Sequence, residues 1–235
     1  MTSIVSPSEA LGLAGAALDN RVLRAAHHVS DRTFARIARR LHEDALANEL
    51  VYERDGKFEA IPIKLRPLLA MKEQLAYVHH VCLQLTETLK RLPGLYLSNP
   101  AVRRILAITQ GEDEWLRTHW TALHQRLNPV YGRLDAVCDF AASAWQDSLH
   151  FMEANLSGVG GISYSPLCEQ LVMRDIVPTL VSHDPDLEIE LPRDQRDLFL
   201  QALIDHSRAL GRPQCRLAFV EPKYAEDGIN EQAVL

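Results

Sequence analysis

Apolar positions recur at three- and four-residue steps through most of the first half of the chain, and that spacing predicts helices. Ser6-Pro7-Ser8-Glu9 has the form of a capping box with proline at the first helical position, so a helix is predicted from there toward His28. A second begins after Ser30 or Asp31 and carries Phe34, Ile37, Leu41, Ala45 and Leu50 before the turn pair Asp55-Gly56. Pro62 and Pro67 forbid a regular helix between Phe58 and Leu68, which is predicted extended. Met71 to Leu92 is the strongest helical pattern, its stripe running through Leu75, Val78, Cys82, Leu85, Leu89 and Leu92. Asn99-Pro100 starts a short helix through Ile108, Gly111 interrupts the pattern, and Glu112-Asp113-Glu114 opens a further helix toward Leu127.

After Asn128-Pro129 the pattern changes. Val130 to Phe140 and Leu149 to Asn155 read as paired strands, Ser165 to Val177 as a helix, and Leu187 to Leu191 as a short strand within a loop-like stretch. Asp194 caps a helix ending near Leu210, with Gly211 beyond it, and Cys215 to Val220 has the look of a buried strand. The expectation is an α/β chain: a mostly helical region, 1–128, then an α/β domain, 129–235, with flanking helices on a partly parallel sheet.

The densest candidate chemistry lies in Leu149 to Ser165. Strand side chains alternate, so Glu153 and Asn155 should point to the same side at the strand's end. Two hard oxygen donors there suit Mg²⁺, which takes one or two protein ligands and keeps waters or phosphate oxygens. Gly158, Gly160 and Gly161 follow at once and would let backbone N–H groups approach an anion. Arg133 and Asp135 share a face of the preceding strand, either as an ordinary ion pair or with Arg133 gripping a substrate carboxylate.

Composition narrows the field. Hydrophobic residues make up 47% of 235, enough for a sizeable core, and the net charge of −6 argues against broad nucleic-acid binding. No apolar run is long enough to cross a bilayer, and the first ten residues lack a signal-peptide pattern, so a cytoplasmic protein is expected. Cys82, Cys138, Cys168 and Cys215 form no CxxC pair, and the ten histidines include no HxxxH or HExxH. Gly161-Ile162-Ser163-Tyr164-Ser165 lacks the second glycine of a nucleophile elbow, and Gly158-Val159-Gly160-Gly161-Ile162-Ser163 lacks the third glycine of a dinucleotide loop.

Arg133-Leu134-Asp135 on one strand, then Glu153-x-Asn155 with Ser157 and Gly160-Gly161 on the next, resembles the substrate-binding region of eukaryotic-type glutathione synthetases. It is similar too to the circularly permuted ATP-grasp and glutathionylspermidine synthase-like proteins. The resemblance implies a pre-ATP-grasp-like fold and ATP-dependent carboxylate–amine ligation. It implies Mg²⁺ held by Glu153 and Asn155, and a small acidic or peptide-like substrate met by Arg133, Asp135, Ser157, Gly158, Gly160 and Gly161. In that group the lysine-bearing ATP-binding part would lie after the region matched here, so the chain is expected to be a front portion or to work with a separate ATP-grasp half. A homodimer through the leucine stripe is left open. The rival expectation is a non-catalytic binding or scaffold protein in which Glu153 and Asn155 only satisfy a turn.

Overall fold

The computed structural model describes residues 5–128, 130–156 and 160–218. Helix α1 spans Pro7–His27, with the Ser6 hydroxyl accepting from the Glu9 N–H at 3.2 Å. Helix α2 spans Asp31–Ala47 and is capped in the same way by Ser30. Ile37, Leu41 and Ala45, four residues apart, form its buried stripe.

The helical pattern carries on to Leu50 in sequence, yet the chain leaves the helix at Ala47. Glu49 takes a positive φ of 55° while its N–H bonds to the Leu46 carbonyl, and the Leu50 N–H returns to the Ala45 carbonyl at 2.8 Å. This is a Schellman ending with glutamate where glycine is usual. It keeps Leu50 in the core and turns the chain into β1, Val51–Arg54, which pairs antiparallel with β2, Lys57–Ala60. Asp55 and Gly56, both at positive φ, make the two-residue turn between them.

Helix α3 is Lys72–Leu89, and its predicted stripe at Val78, Cys82, Leu85 and Leu89 is half-buried while Leu75 is exposed. Four short helices follow: α4, Leu92–Ser98; α5, Pro100–Ile105; α6, Gln110–His119; and α7, Ala122–Arg126. Gly111 does not interrupt the helix there but sits in the first turn of α6. Thr109 and Glu112 cap that turn reciprocally, so the break falls instead at Trp120-Thr121.

Strands β3, Arg133–Val137, and β4, His150–Asn155, pair antiparallel as expected. Their connection is held down by Trp145, which is fully buried. Its indole N–H donates to the Ser8 carbonyl at 3.0 Å, and its ring meets Tyr77 edge-on at 5.1 Å. Gln74, also fully buried, donates to the Phe140 carbonyl at 2.8 Å and accepts from the Met71 N–H. The seat on α1 requires glycine: a Cβ on Gly12 would collide with the Ala142 carbonyl and lie 2.9 Å from Ser143 Cα, and one on Gly15 would strike the Phe140 carbonyl.

The chain closes with α8, Tyr164–Asp175; α9, Val177–Val181; and α10, Gln195–Ala209. The core joins Val22 and Ala25 of α1 with Ile37, Leu41 and Ala45 of α2, then Leu50, Tyr164, Leu171, Ile176, Leu180 and Leu187. It therefore draws on segments from both sides of residues 128 and 129. The Tyr164 hydroxyl donates to the Val51 carbonyl, and Arg21 makes a two-point ion pair with Asp184 at 2.9 and 2.6 Å.

The architecture is helices with two small antiparallel sheets. A partly parallel sheet is not formed by the described residues: 187–191 is not a strand, nor is 215–218, and Phe219 and Val220 of the predicted last strand lie outside them. The reason lies in the packing. Helices α8 and α9 bury their apolar sides against α1 and α2 rather than crossing over a sheet.

The Trp145 seat yields a stability prediction. Gly15→Ala should lower unfolding stability in urea by about 1–3 kcal/mol or more, because backbone must move to admit a methyl group. Gly111→Ala, with nothing within 4 Å of its added carbon, should be neutral or mildly stabilising. Equal stability of the two variants would contradict the seat.

Candidate functional site

Register decides what the β3–β4 ribbon presents. Arg133 lies opposite Asn155, and Asp135 opposite Glu153. Directly opposed residues share a face, as do residues two apart on one strand, so all four side chains stand on one side of the ribbon. Below them the register shifts between Asp135 and Ala136, leaving Met152 as the unpaired residue of a β-bulge, 72% exposed. Glu153 and Asn155 thus share one face, as strand alternation predicts, and β3 adds its own acid and base.

Within that face Asp135 is the hub. Arg133 donates to it from Nε at 2.6 Å and from Nη2 at 3.2 Å, and Asn155 donates from Nδ2 at 3.3 Å. The Arg133 hydrogen bond holds the Asp135 carboxyl below its ordinary range, helped by the guanidinium charge and by Asn155 and opposed by slight burial. The Glu153 side chain is exposed, and its carboxylate makes no hydrogen bond or ion pair with the described residues.

The third arm of Arg133 reaches the glycine loop, donating from Nη1 to the Gly160 carbonyl at 2.8 Å. Gly161 has φ +97°, a conformation that side chains rarely adopt, and a Cβ there would stand 4.0 Å from Arg133 Nη1. Beyond it Ile162, Ser163 and Tyr164 are buried where α8 begins. Arg133 thus ties the ribbon to the turn that feeds α8. Ser157 and Gly158, the other loop residues singled out in the sequence, lie outside the described residues.

This geometry bears on the roles expected from sequence. Arg133, expected either to pair with Asp135 or to grip a substrate carboxylate, directs its guanidinium to Asp135 and to a main-chain carbonyl. The ion pair of Arg133 and Asp135 is half-exposed and so adds little stability; its effect is positional. Among the described residues there is no group of three or more His, Cys, Asp or Glu that could hold a metal ion. The donor chemistry left is open: the Glu153 carboxylate and the Asn155 side-chain oxygen, with Asp135 beside them. Such a set fits Mg²⁺, which completes its octahedron with water or phosphate, and does not fit a closed zinc site.

Sequence reasoning did not find the Gly160 carbonyl as the partner of Arg133, since a backbone acceptor carries no residue signature. The adjacent glycines Gly160-Gly161 were its nearest trace.

The Asp135 contact sets a pH dependence. A carboxyl depressed in the folded state contributes stability above its unfolded pKa and loses it as pH falls through the folded one. In a ¹³C carboxyl titration of Arg133→Gln, Asp135 should move up toward the ordinary carboxylate range. An unchanged Asp135 titration would show that Arg133 does not hold it.

No family model matches the chain, and no curated protein or solved structure matches it.

Proposed function

We propose that this chain supplies the substrate- and magnesium-binding portion of an ATP-dependent carboxylate–amine ligase, of the kind glutathione synthetase exemplifies. The observation that supports it is the shared face of Arg133, Asp135, Glu153 and Asn155, bonded through Arg133 to the Gly160 carbonyl. In this reading Glu153 and Asn155 hold Mg²⁺. When bound, the metal neutralises phosphate oxygens and so eases formation of an acyl phosphate and its displacement by an amine.

The chain's own residues do the positioning. Arg133 fixes Asp135 and the Gly160-Gly161 turn, so that turn stands at a set distance from the Asp135 carboxylate. Asp135 orients the Asn155 amide, which leaves the Asn155 oxygen for the cation. Gly160 and Gly161, with Ser157 and Gly158, line a small acidic or peptide-like substrate. The resemblance assigns ATP to a lysine-bearing ATP-grasp part, which this reading does not place among the four residues of the ribbon face.

A second reading, a non-catalytic binding or scaffold protein, is favoured by one observation. Among its contacts with the described residues, the Arg133 guanidinium bonds to Asp135 and the Gly160 carbonyl, as in a structural ion pair. Calorimetry separates the two. Wild type should bind Mg²⁺, and Glu153→Ala with Asn155→Ala should lose at least about tenfold in affinity with unchanged circular dichroism and thermal midpoint. Absence of Mg²⁺ binding by wild type, or equal binding by the folded double variant, would leave the scaffold reading standing.

A further inference from the structure

A second recess lies at the far end of α3, away from the β3–β4 ribbon. The α3 helix ends at Leu89, Lys90 and Arg91 follow, and α4 opens with Leu92-Pro93-Gly94. Helix α7 closes the opposite side, where the Asn128 amide donates to the Lys90 carbonyl at 3.4 Å. Between them is a cleft of about 370 Å³, lined among others by Glu87, Lys90, Arg91, Gly94, Gln125 and Arg126. Gly94 faces the Gln125 amide across it: a Cβ there would stand 3.5 Å from Gln125 Nε2, in ordinary van der Waals contact.

The charge in this cleft runs against that of the chain. Overall the protein carries −6, yet three cations and one carboxylate line this recess. The carboxylate, Glu87, is committed to Lys90 at 2.8 Å. Arg91, Arg126 and the Gln125 amide make no side-chain hydrogen bond or ion pair with the described residues. Lys90 and Arg91 by themselves complement the negative carbonyl end of α3, which is an ordinary structural use of cations. Arg126 stands in the same way at the carbonyl end of its own helix, α7, but it comes from a different element and brings a second guanidinium to the same opening.

We propose that this cleft binds a phosphate-bearing ligand. Guanidinium groups present paired N–H donors matched to phosphate oxygens, and Gln125 adds a neutral amide donor. Arg91 and Arg126 are exposed, and an anion seated between them and Lys90 would gain from all three charges, whose field the recess concentrates. The volume lies in the range of small-molecule sites and leaves room for an organic body beside the phosphate. The proposal is independent of the Mg²⁺ site, with which it shares no residue.

Isothermal titration of the full chain with inorganic pyrophosphate tests it. Wild type should bind, more weakly as salt is raised. Arg91→Gln with Arg126→Gln should lose at least about tenfold in affinity, since a hydrogen bond to a charged group is commonly worth that much. Arg36→Gln with Arg39→Gln, on the exposed side of α2, removes the same charge and should bind like wild type. Co-sedimentation with phosphatidylcholine vesicles containing phosphatidic acid identifies the source of the phosphate. Pyrophosphate binding without sedimentation indicates a soluble ligand; sedimentation lost only in the Arg91/Arg126 variant indicates a lipid headgroup. Failure of wild type to bind either probe, or equal loss in both double variants, would overturn the proposal. So would undiminished binding by the Arg91/Arg126 variant with native circular dichroism.

Discussion

The burial of Trp145 is the constraint on which the arrangement of the candidate site depends. The ribbon of β3 and β4 has only two strands and would be marginal alone. What fixes it is its connection: an indole with no exposed surface, hydrogen-bonded to the Ser8 carbonyl and flanked by Tyr77, on a stretch of α1 kept clear by Gly12 and Gly15. Gln74 adds a bond from α3 to the Phe140 carbonyl, so three distant segments meet at one aromatic side chain. A hydrophobic payload of that size, with its one polar atom satisfied, offsets much of the entropy of ordering an irregular loop.

Given an anchored ribbon, the site follows from register. Pairing Arg133 with Asn155 and Asp135 with Glu153 places two acids, an amide and a guanidinium on one face, and a one-residue slip would divide them between two faces. The bulge at Met152 lies just below Asp135 and Glu153, so the irregular part of the pairing stops short of the four residues. Arg133 then links that face to the turn ahead of α8, whose Tyr164 bonds to Val51 and whose Leu171 enters the main core. The acidic face is thereby connected to the main hydrophobic core through one guanidinium and one short glycine turn.

Local chemistry was legible in the sequence, and long-range partners were not. The starts of α1 and α2 were readable because Ser6, Pro7, Glu9 and Ser30 act within one turn of themselves. The common face of Glu153 and Asn155 was readable from strand alternation alone, and so was the pairing of the two strands. The end of α2 was not, because Leu50 continues the helical spacing while Glu49, a residue that rarely takes positive φ, makes the turn. The partly parallel sheet was inferred from strand and helix alternation. That pattern cannot tell whether a helix packs on a sheet or, as α8 and α9 do here, on other helices. Asp135 was noted as a neighbour of Arg133, but the second partner of Arg133 is a carbonyl, which sequence does not mark. The cleft beside α3 depends on α7 folding back to bring Arg126 near Lys90 and Arg91, a contact with no local signature.

The central claim is that Glu153 and Asn155 of β4 hold one divalent cation beside Asp135 of β3. Manganese substitutes for magnesium at oxygen sites and broadens NMR signals near it. Titrating it into ¹⁵N-labelled protein should broaden the backbone amides of Asp135 on β3 and of Glu153 and Asn155 on β4 at the same low stoichiometry, with excess magnesium restoring them. Broadening confined to one strand, spread over exposed acidic helices, or unaffected by magnesium would contradict the claim.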